Sequence, residues 1–134
     1  MKAAASKKPI RVAVVESARL PFDEINSQVG IEVVSSNLAE LGSRKDIHIL
    51  LLSTSKNMLD FLAGLNNMRP DLRIILIGND ADETIMKFLA SGVKGYVEEA
   101  ASVKEFFSAV RTVHMGSVWM PKRMLSIFIE RVRK

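Results

Sequence analysis

At 134 residues, 48% of them apolar and 25% charged, the chain has the size and composition of one compact domain around one hydrophobic core, with no room for two. It contains no cysteine, which excludes disulfides, thiolate metal sites and cysteine nucleophiles and fits a reducing cytoplasm, and no run approaches the roughly 18 apolar residues that cross a bilayer, so a soluble protein without membrane contact is expected. The net charge of +4 would point to nucleic acid if it covered the body, but it is concentrated at the ends, in Lys2, Lys7 and Lys8 and in Lys122, Arg123, Arg131, Arg133 and Lys134 against Glu130, leaving the intervening chain acidic.

Residues 1–9 carry lysines with no apolar stretch behind them and read as a disordered basic tail. Residues 10–15 are β-branched and nearly continuous, the pattern of a strand buried on both faces of a parallel sheet. A first helix, interrupted by Pro21, leads to a second strand at 31–34, and a short second helix over 37–43 leads to a third at 47–52. Met58, Phe61, Leu62 and Leu65, at i, i+3, i+4 and i+7, place a third helix against the sheet before a fourth strand at 73–77. Asp80 or Asp82 caps a fourth helix that runs through Ala90 and stops at Gly92, and a fifth strand occupies 95–97. Ser102 and Glu105 form a capping box for the last regular helix, whose stripe is Val103, Phe106, Phe107 and Val110. After it, Leu125, Phe128, Ile129 and Val132 recur at helical spacing behind Pro121, predicting an extra amphipathic helix within 117–134.

Strict alternation of strand and helix over 10–116 predicts an α/β domain: a doubly wound, five-stranded parallel sheet with right-handed crossovers and the flavodoxin-like strand order 2-1-3-4-5.

From Ser91 the chain reads Ser-Gly-Val-Lys-Gly-Tyr-Val-Glu-Glu, followed by Ala109-Val110-Arg111 and Gly116-Ser117-Val118-Trp119. This resembles the receiver domains of the response-regulator superfamily, in the NarL/FixJ group. There a Gly-x-x-Gly-Tyr-hydrophobic-x-Lys segment forms strand five, and a Gly-x-x-Trp stretch leads toward a LuxR-type helix-turn-helix. The resemblance spans residues 10–119 in element order and is close at motif level over the last third; the second helix and the third loop are shorter than the family's.

The resemblance implies an aspartate at the end of strand three as phosphoryl acceptor, Mg²⁺ held by acidic residues after strand one, and a hydroxyl and a lysine that neutralise the transferred oxygens. At the matching positions the chain departs from this pattern. Glu16-Ser17 stands for the acidic pair, Leu51 for the acceptor, Gly78 for the hydroxyl and Glu99 for the lysine, and neither Leu50, Leu52 nor Ser53 supplies a carboxylate in a shifted register. Glu99 reverses a charge, and a glutamate facing a phosphoryl group repels it. The substitutions agree with one another: no catalytic residue, no metal and no cofactor are expected, and the chain is not expected to be an enzyme.

Tyr96 matches the family's switch aromatic, whose ring moves when the strand-four hydroxyl shifts; the plainer reading is a half-buried aromatic in need of a hydrogen-bond partner. Glu16 reads equally as a solvated or helix-capping carboxylate. His48 and His114 have no acidic partner repeated beside them, and Thr54-Ser55 lacks the glycine-rich loop of a phosphate cradle. Glu83, Lys87, Lys94 and Tyr96 mark a candidate interaction surface on the face where such receivers often pair.

The function expected is that of an atypical, phosphorylation-independent receiver of a LuxR-type transcription regulator in the cytoplasm. It would act as a homodimer or through a protein partner, and would reach DNA only through an effector domain outside this chain. The alternatives are a Mg²⁺-dependent phosphoacceptor using an unusual residue, such as Ser53 or Thr54 with Glu16, and a sensor holding a small ligand at the carboxyl edge of the sheet. The tail helix either leads to an effector, dimerises, meets acidic partners or membrane, or packs on the domain; burying its four apolar side chains is worth about 1.5–3 kcal/mol each before entropy, so the stripe is expected to be covered.

Overall fold

A computed structural model of the protein describes residues 10–14, 30–35 and 38–133. Its elements are β1 (Ile10–Val14), β2 (Ile31–Ser35), α1 (Leu38–Leu41), β3 (Ile49–Ser53), α2 (Met58–Met68), β4 (Arg73–Gly78), α3 (Asp82–Ala90), β5 (Gly95–Glu98), α4 (Val103–His114) and α5 (Lys122–Arg133). The five strands form one parallel sheet in the order β2-β1-β3-β4-β5, as the alternating pattern predicts. The expected basic tail, the expected first helix and the site positions Glu16 and Ser17 lie outside the described residues.

β1, β3, β4 and β5 have buried residues on both faces, so the sheet separates two cores. On one face Ala13, Leu50, Leu52, Leu76 and Tyr96 pack with Met58, Leu62 and Leu65 of α2, with Ile85 and Phe88 of α3, and with Met124 of α5. On the other, Val12, Val14, Ile49, Leu51, Ile75, Ile77 and Val97 pack with Phe106, Ala109, Val110 and Val113 of α4. Successive strand residues point to opposite faces, which is why these apolar runs show no polar alternation.

Three local expectations need correction. β3 begins at Ile49, not at 47, because the ladder with β4 opens at the Ile49–Arg73 rung, where Arg73 N donates to the carbonyl of exposed His48. α1 is a single turn, shorter than 37–43. Neither Asp80 nor Asp82 caps α3: its N-cap is Ala81, without a side-chain bond, because the Asp80 carboxylate is used elsewhere and Asp82 is already helical. The Ser102 cap is present, with Glu105 N donating to Ser102 Oγ at 3.2 Å.

The amino edge is organised by Arg69, 4% exposed at the end of α2. Its Nη1 donates to the Leu41 and Arg44 carbonyls at 2.7 and 3.0 Å and its Nη2 to the Ile47 carbonyl at 2.7 Å, while Nε and Nη2 grip Asp71 at 3.0 and 2.9 Å. The guanidinium thereby satisfies the carbonyls of the α1–β3 connection. Also at this edge, a groove of about 1060 Å³ is lined by Arg11, Asp46, His48, Asp71, Arg73 and His114, bringing together two histidines distant in sequence.

Past α4 the chain turns at Gly116 (φ 95°), where a side chain would be strained. It then runs beside β5: Trp119 N donates to Lys94 O and Tyr96 N to Trp119 O, both at 3.0 Å. This stretch delivers α5 onto the face of α3 and β5. There Met124 is fully buried, and Arg123 pairs with Asp82 at 3.1 Å and with Glu98 at 2.6 Å.

Candidate functional site at the carboxyl edge of the sheet

In parallel α/β sheets, chemistry gathers at the carboxyl ends of the strands. Here that edge brings together the ends of β3, β4 and β5, with Ser53 opposite Ile77 and Gly78 opposite Glu98. Gly78 and Glu99 meet at this edge, where Glu99 N donates to Gly78 O at 3.0 Å, whereas Leu51 lies within β3 opposite Ile75, two residues before the strand ends at Ser53.

The environment of each is specific. Leu51 is 1% exposed and belongs to the core cluster that includes Val14, Ile77 and Val97, so no solvent-facing nucleophile stands at its position. Glu99 is exposed beyond the end of β5, where its charge stays hydrated. Gly78 is buried beneath a polar cluster that sequence reading did not assemble. Thr54 Oγ1 donates to Asp80 Oδ2 at 2.9 Å, Tyr96 Oη donates to the same Oδ2 at 2.6 Å, and Asp80 N donates back to Tyr96 Oη at 2.9 Å.

These three side chains fill the space above Gly78. A Cβ on Gly78 would collide with Thr54 Oγ1 and lie 2.5 Å from Asp80 Oδ2 and 3.0 Å from Tyr96 Oη. The missing hydroxyl is therefore not an empty place: the glycine is the condition for the Thr54–Asp80–Tyr96 cluster.

Tyr96 is fully buried, not half-buried, and its ring stacks on Phe88 with centroids 6.5 Å apart and planes at 15°. Burial first, and then the hydrogen bond to the Asp80 carboxylate, pushes its phenol well above the ordinary value of 10. This removes Tyr96 from the candidate interaction surface, because α5 and the stretch through Trp119 lie over its strand. Of the other members, Glu83 and Lys87 are exposed one turn apart on α3, and Lys94 is exposed in the turn before β5.

The Mg²⁺ and phosphoryl chemistry implied by the resemblance does not fit the described residues. Leu51, which the resemblance matches to the acceptor, is buried within β3, an exposed glutamate stands at Glu99, which it matches to the lysine, and the Asp80 carboxylate accepts from two hydroxyl donors. Among the described residues no group of three or more His, Cys, Asp or Glu could hold a metal ion, and no helix is long and apolar enough to cross a membrane.

The strand order, the two-faced core and the convergence of β3, β4 and β5 at this edge define a flavodoxin-like α/β fold of the receiver type. No family model and no curated protein matches the chain. Among solved structures it is similar to a two-component response regulator of the LuxR family from an Aurantimonas species, with 18% identity and a TM-score of 0.75 over 93% of this chain and 99% of that one. It is also similar to the isolated receiver domain of RcsB from Salmonella enterica serovar Typhimurium in the presence of a beryllofluoride phosphomimetic, with 14% identity and a TM-score of 0.71 over 87% of this chain and 99% of that one. A LuxR-family DNA-binding response regulator from Silicibacter pomeroyi aligns with 22% identity and a TM-score of 0.71 over 84% of this chain and 98% of that one. The fold of the protein is that of the response-regulator receivers.

Proposed function

We propose that the protein is an atypical receiver domain of a LuxR-type response regulator that works without taking up phosphate and signals in the cytoplasm by protein contact, as a homodimer or with a partner. Any DNA-binding step belongs to an effector domain distinct from these residues. The observation that carries this reading is β3 itself, which runs through buried Leu50, Leu51 and Leu52 to end at Ser53 and so brings no carboxylate to the edge where phosphoryl transfer needs one. The cluster over Gly78 supports it, since Thr54 and Tyr96 are committed to Asp80 and not to an incoming oxyanion.

The test is an amide NMR titration of the protein with beryllofluoride and Mg²⁺, paired with mass spectrometry after acetyl phosphate. We expect no saturable shifts at Leu51, Gly78 or Glu99 and no gain in mass. Saturable shifts converging on those three positions, or a phosphorylated species, would return the protein to the phosphoaccepting receivers.

A further inference from the structure

Two features of the molecule lie away from the carboxyl edge. On α5, Leu125, Phe128 and Ile129 remain 49%, 37% and 44% exposed, against the expectation that this stripe is covered. The other feature is the groove of about 1060 Å³ at the amino edge, which four separate parts of the chain line with charged side chains and two histidines. Arg73 links the two: its backbone N donates to the His48 carbonyl at 2.8 Å and its Nη1 to the His114 carbonyl at 2.9 Å.

The charges of the groove are unequally matched. Asp46, before β3, accepts from Arg11 of β1 and from Arg44, and Arg11 is shared with Glu32 of β2. Asp71, before β4, accepts from Arg69 through two bonds. Each carboxylate lining the groove is thus held by a guanidinium. Arg73 is not so matched: among the described residues no carboxylate pairs with it. Its Nη1 donates to the Val113 and His114 carbonyls at 3.1 and 2.9 Å, which anchors the guanidinium against the end of α4. Nε and Nη2, the donors with which arginine makes a two-point bond to an oxyanion, bond to no described residue. His48 is 63% exposed with Nδ1 3.7 Å from Asp71 Oδ2, beyond hydrogen-bond reach, and His114 is exposed.

We propose that the amino-edge groove binds a phosphate dianion, free or carried by a small organic molecule, which Arg73 Nε and Nη2 grip and the His48 and His114 imidazoles flank. A tetrahedral oxyanion offers two oxygens to the arginine fork and keeps others for the imidazoles, whereas a carboxylate is used up by the fork alone. Imidazole is the lining side chain whose class gains charge between about pH 8 and about pH 5.5, while the arginines keep their protons and Asp71 and Asp46 are held ionised by theirs. The site is one of binding, with no bond to phosphorus made or broken, and it goes beyond the protein-contact reading without depending on it.

The experiment titrates the whole protein with sulfate, which stays doubly charged over that pH range, while NMR follows the imidazole signals of its two histidines. Both signals should shift saturably at constant ionic strength, and the affinity should rise about tenfold from about pH 8 to about pH 5.5. Inorganic phosphate and ribose 5-phosphate are then compared at about pH 8, where both are dianions. Equal affinities identify the free ion as the occupant, and binding of ribose 5-phosphate about tenfold tighter identifies an ester. Arg73→Lys, which keeps the charge and loses the fork, should weaken sulfate about tenfold. His48→Gln and His114→Gln, at exposed positions, should each reduce the rise in affinity on acidification.

Circular dichroism checks the fold of each variant, and the two glutamine variants carry the test if Arg73→Lys, at a residue that also binds the end of α4, does not fold. Shifts that fail to saturate, an equal response to chloride at the same ionic strength, or full affinity in Arg73→Lys and in both glutamine variants overturns the proposal. The amides of Gly78 and Glu99, at the opposite edge of the sheet, should not move with sulfate. Failure of this site and failure of the phosphate-free reading are therefore separately visible.

Discussion

A glycine and a tyrosine define the carboxyl edge of this protein. Gly78 leaves room for Asp80 Oδ2 to accept from both Thr54 and Tyr96, and a methyl group at Gly78 cannot enter without moving them. Gly78→Ala is therefore expected to destabilise the fold by about 1–3 kcal/mol, the range for overpacking and for a buried hydroxyl that loses its partner. Gly64, within α2, has nothing within 4 Å of where its Cβ would lie, so Gly64→Ala should change stability in the other direction by about 0.5–1 kcal/mol. Urea unfolding of the two variants measures both signs, and a neutral Gly78→Ala would show that the cluster contributes nothing to stability. The need of Tyr96 for a partner was legible in the sequence. The identity of that partner was not: Asp80 is 16 residues away and precedes a helix, where capping is the nearer use of an aspartate. Gly78 read as the loss of a hydroxyl, because a sequence shows which group is missing and not which neighbours have taken its place.

The elements were legible to the extent that their patterns were local. Five apolar runs and the helical stripes gave the strand order, because a parallel sheet with helices on both faces leaves few other arrangements. α5 was legible as a helix, but its orientation was not. The stripe of Leu125, Phe128 and Ile129 is the stronger periodic signal, yet Met124 and Ile127 face the core, because the run through Trp119 beside β5 and the pairs made by Arg123 fix the rotation. Arg69 gave no periodic signal at all. Three of the groups it binds are carbonyls 22 to 28 residues away, and backbone acceptors leave no mark in a sequence. Yet it joins α1 and the α1–β3 connection to the end of α2, and Arg69→Lys, which keeps the charge and loses the planar fork, is expected to cost on the order of 2–3 kcal/mol from carbonyls left unpaired. Arg11 pairs with Glu32 and Asp46 while 44% exposed, so solvent screens its ion pairs and Arg11→Lys should cost far less. Chemical denaturation of the two variants compares them directly; equal effects would mean that burial of Arg69 adds nothing to its bonds.

Over the whole molecule, titrating groups lie at both edges of the sheet and limit stability from opposite sides of neutrality. At the amino edge, the hydrogen bonds from Arg69 hold the Asp71 carboxyl at about 2, and those from Arg44 and then Arg11 hold Asp46 below the ordinary 3.8. The unfolded chain takes up these protons first as pH falls, so this stabilisation is complete above about pH 4 and is lost as the pH falls through the lowered values. At the carboxyl edge the sign is reversed. The Tyr96 phenol is raised above 10 by burial and by Asp80, so the unfolded chain gives up its proton first, and that stabilisation is complete below about pH 10 and lost as the pH rises beyond it. A plateau between these limits is expected when unfolding free energy is measured against pH. The alkaline limit can be read from one residue, because Tyr96 is the only tyrosine in the chain. Its tyrosinate absorbance should fail to develop around pH 10 while circular dichroism remains native, and should then rise together with unfolding; in concentrated guanidinium its midpoint should return to about 10. A tyrosinate signal near pH 10 in the folded protein would mean that the ring reaches solvent without unfolding. Tyr96 would then move as the switch aromatic of a receiver does, and the Thr54–Asp80–Tyr96 cluster would be one of two states of this edge, not its fixed form.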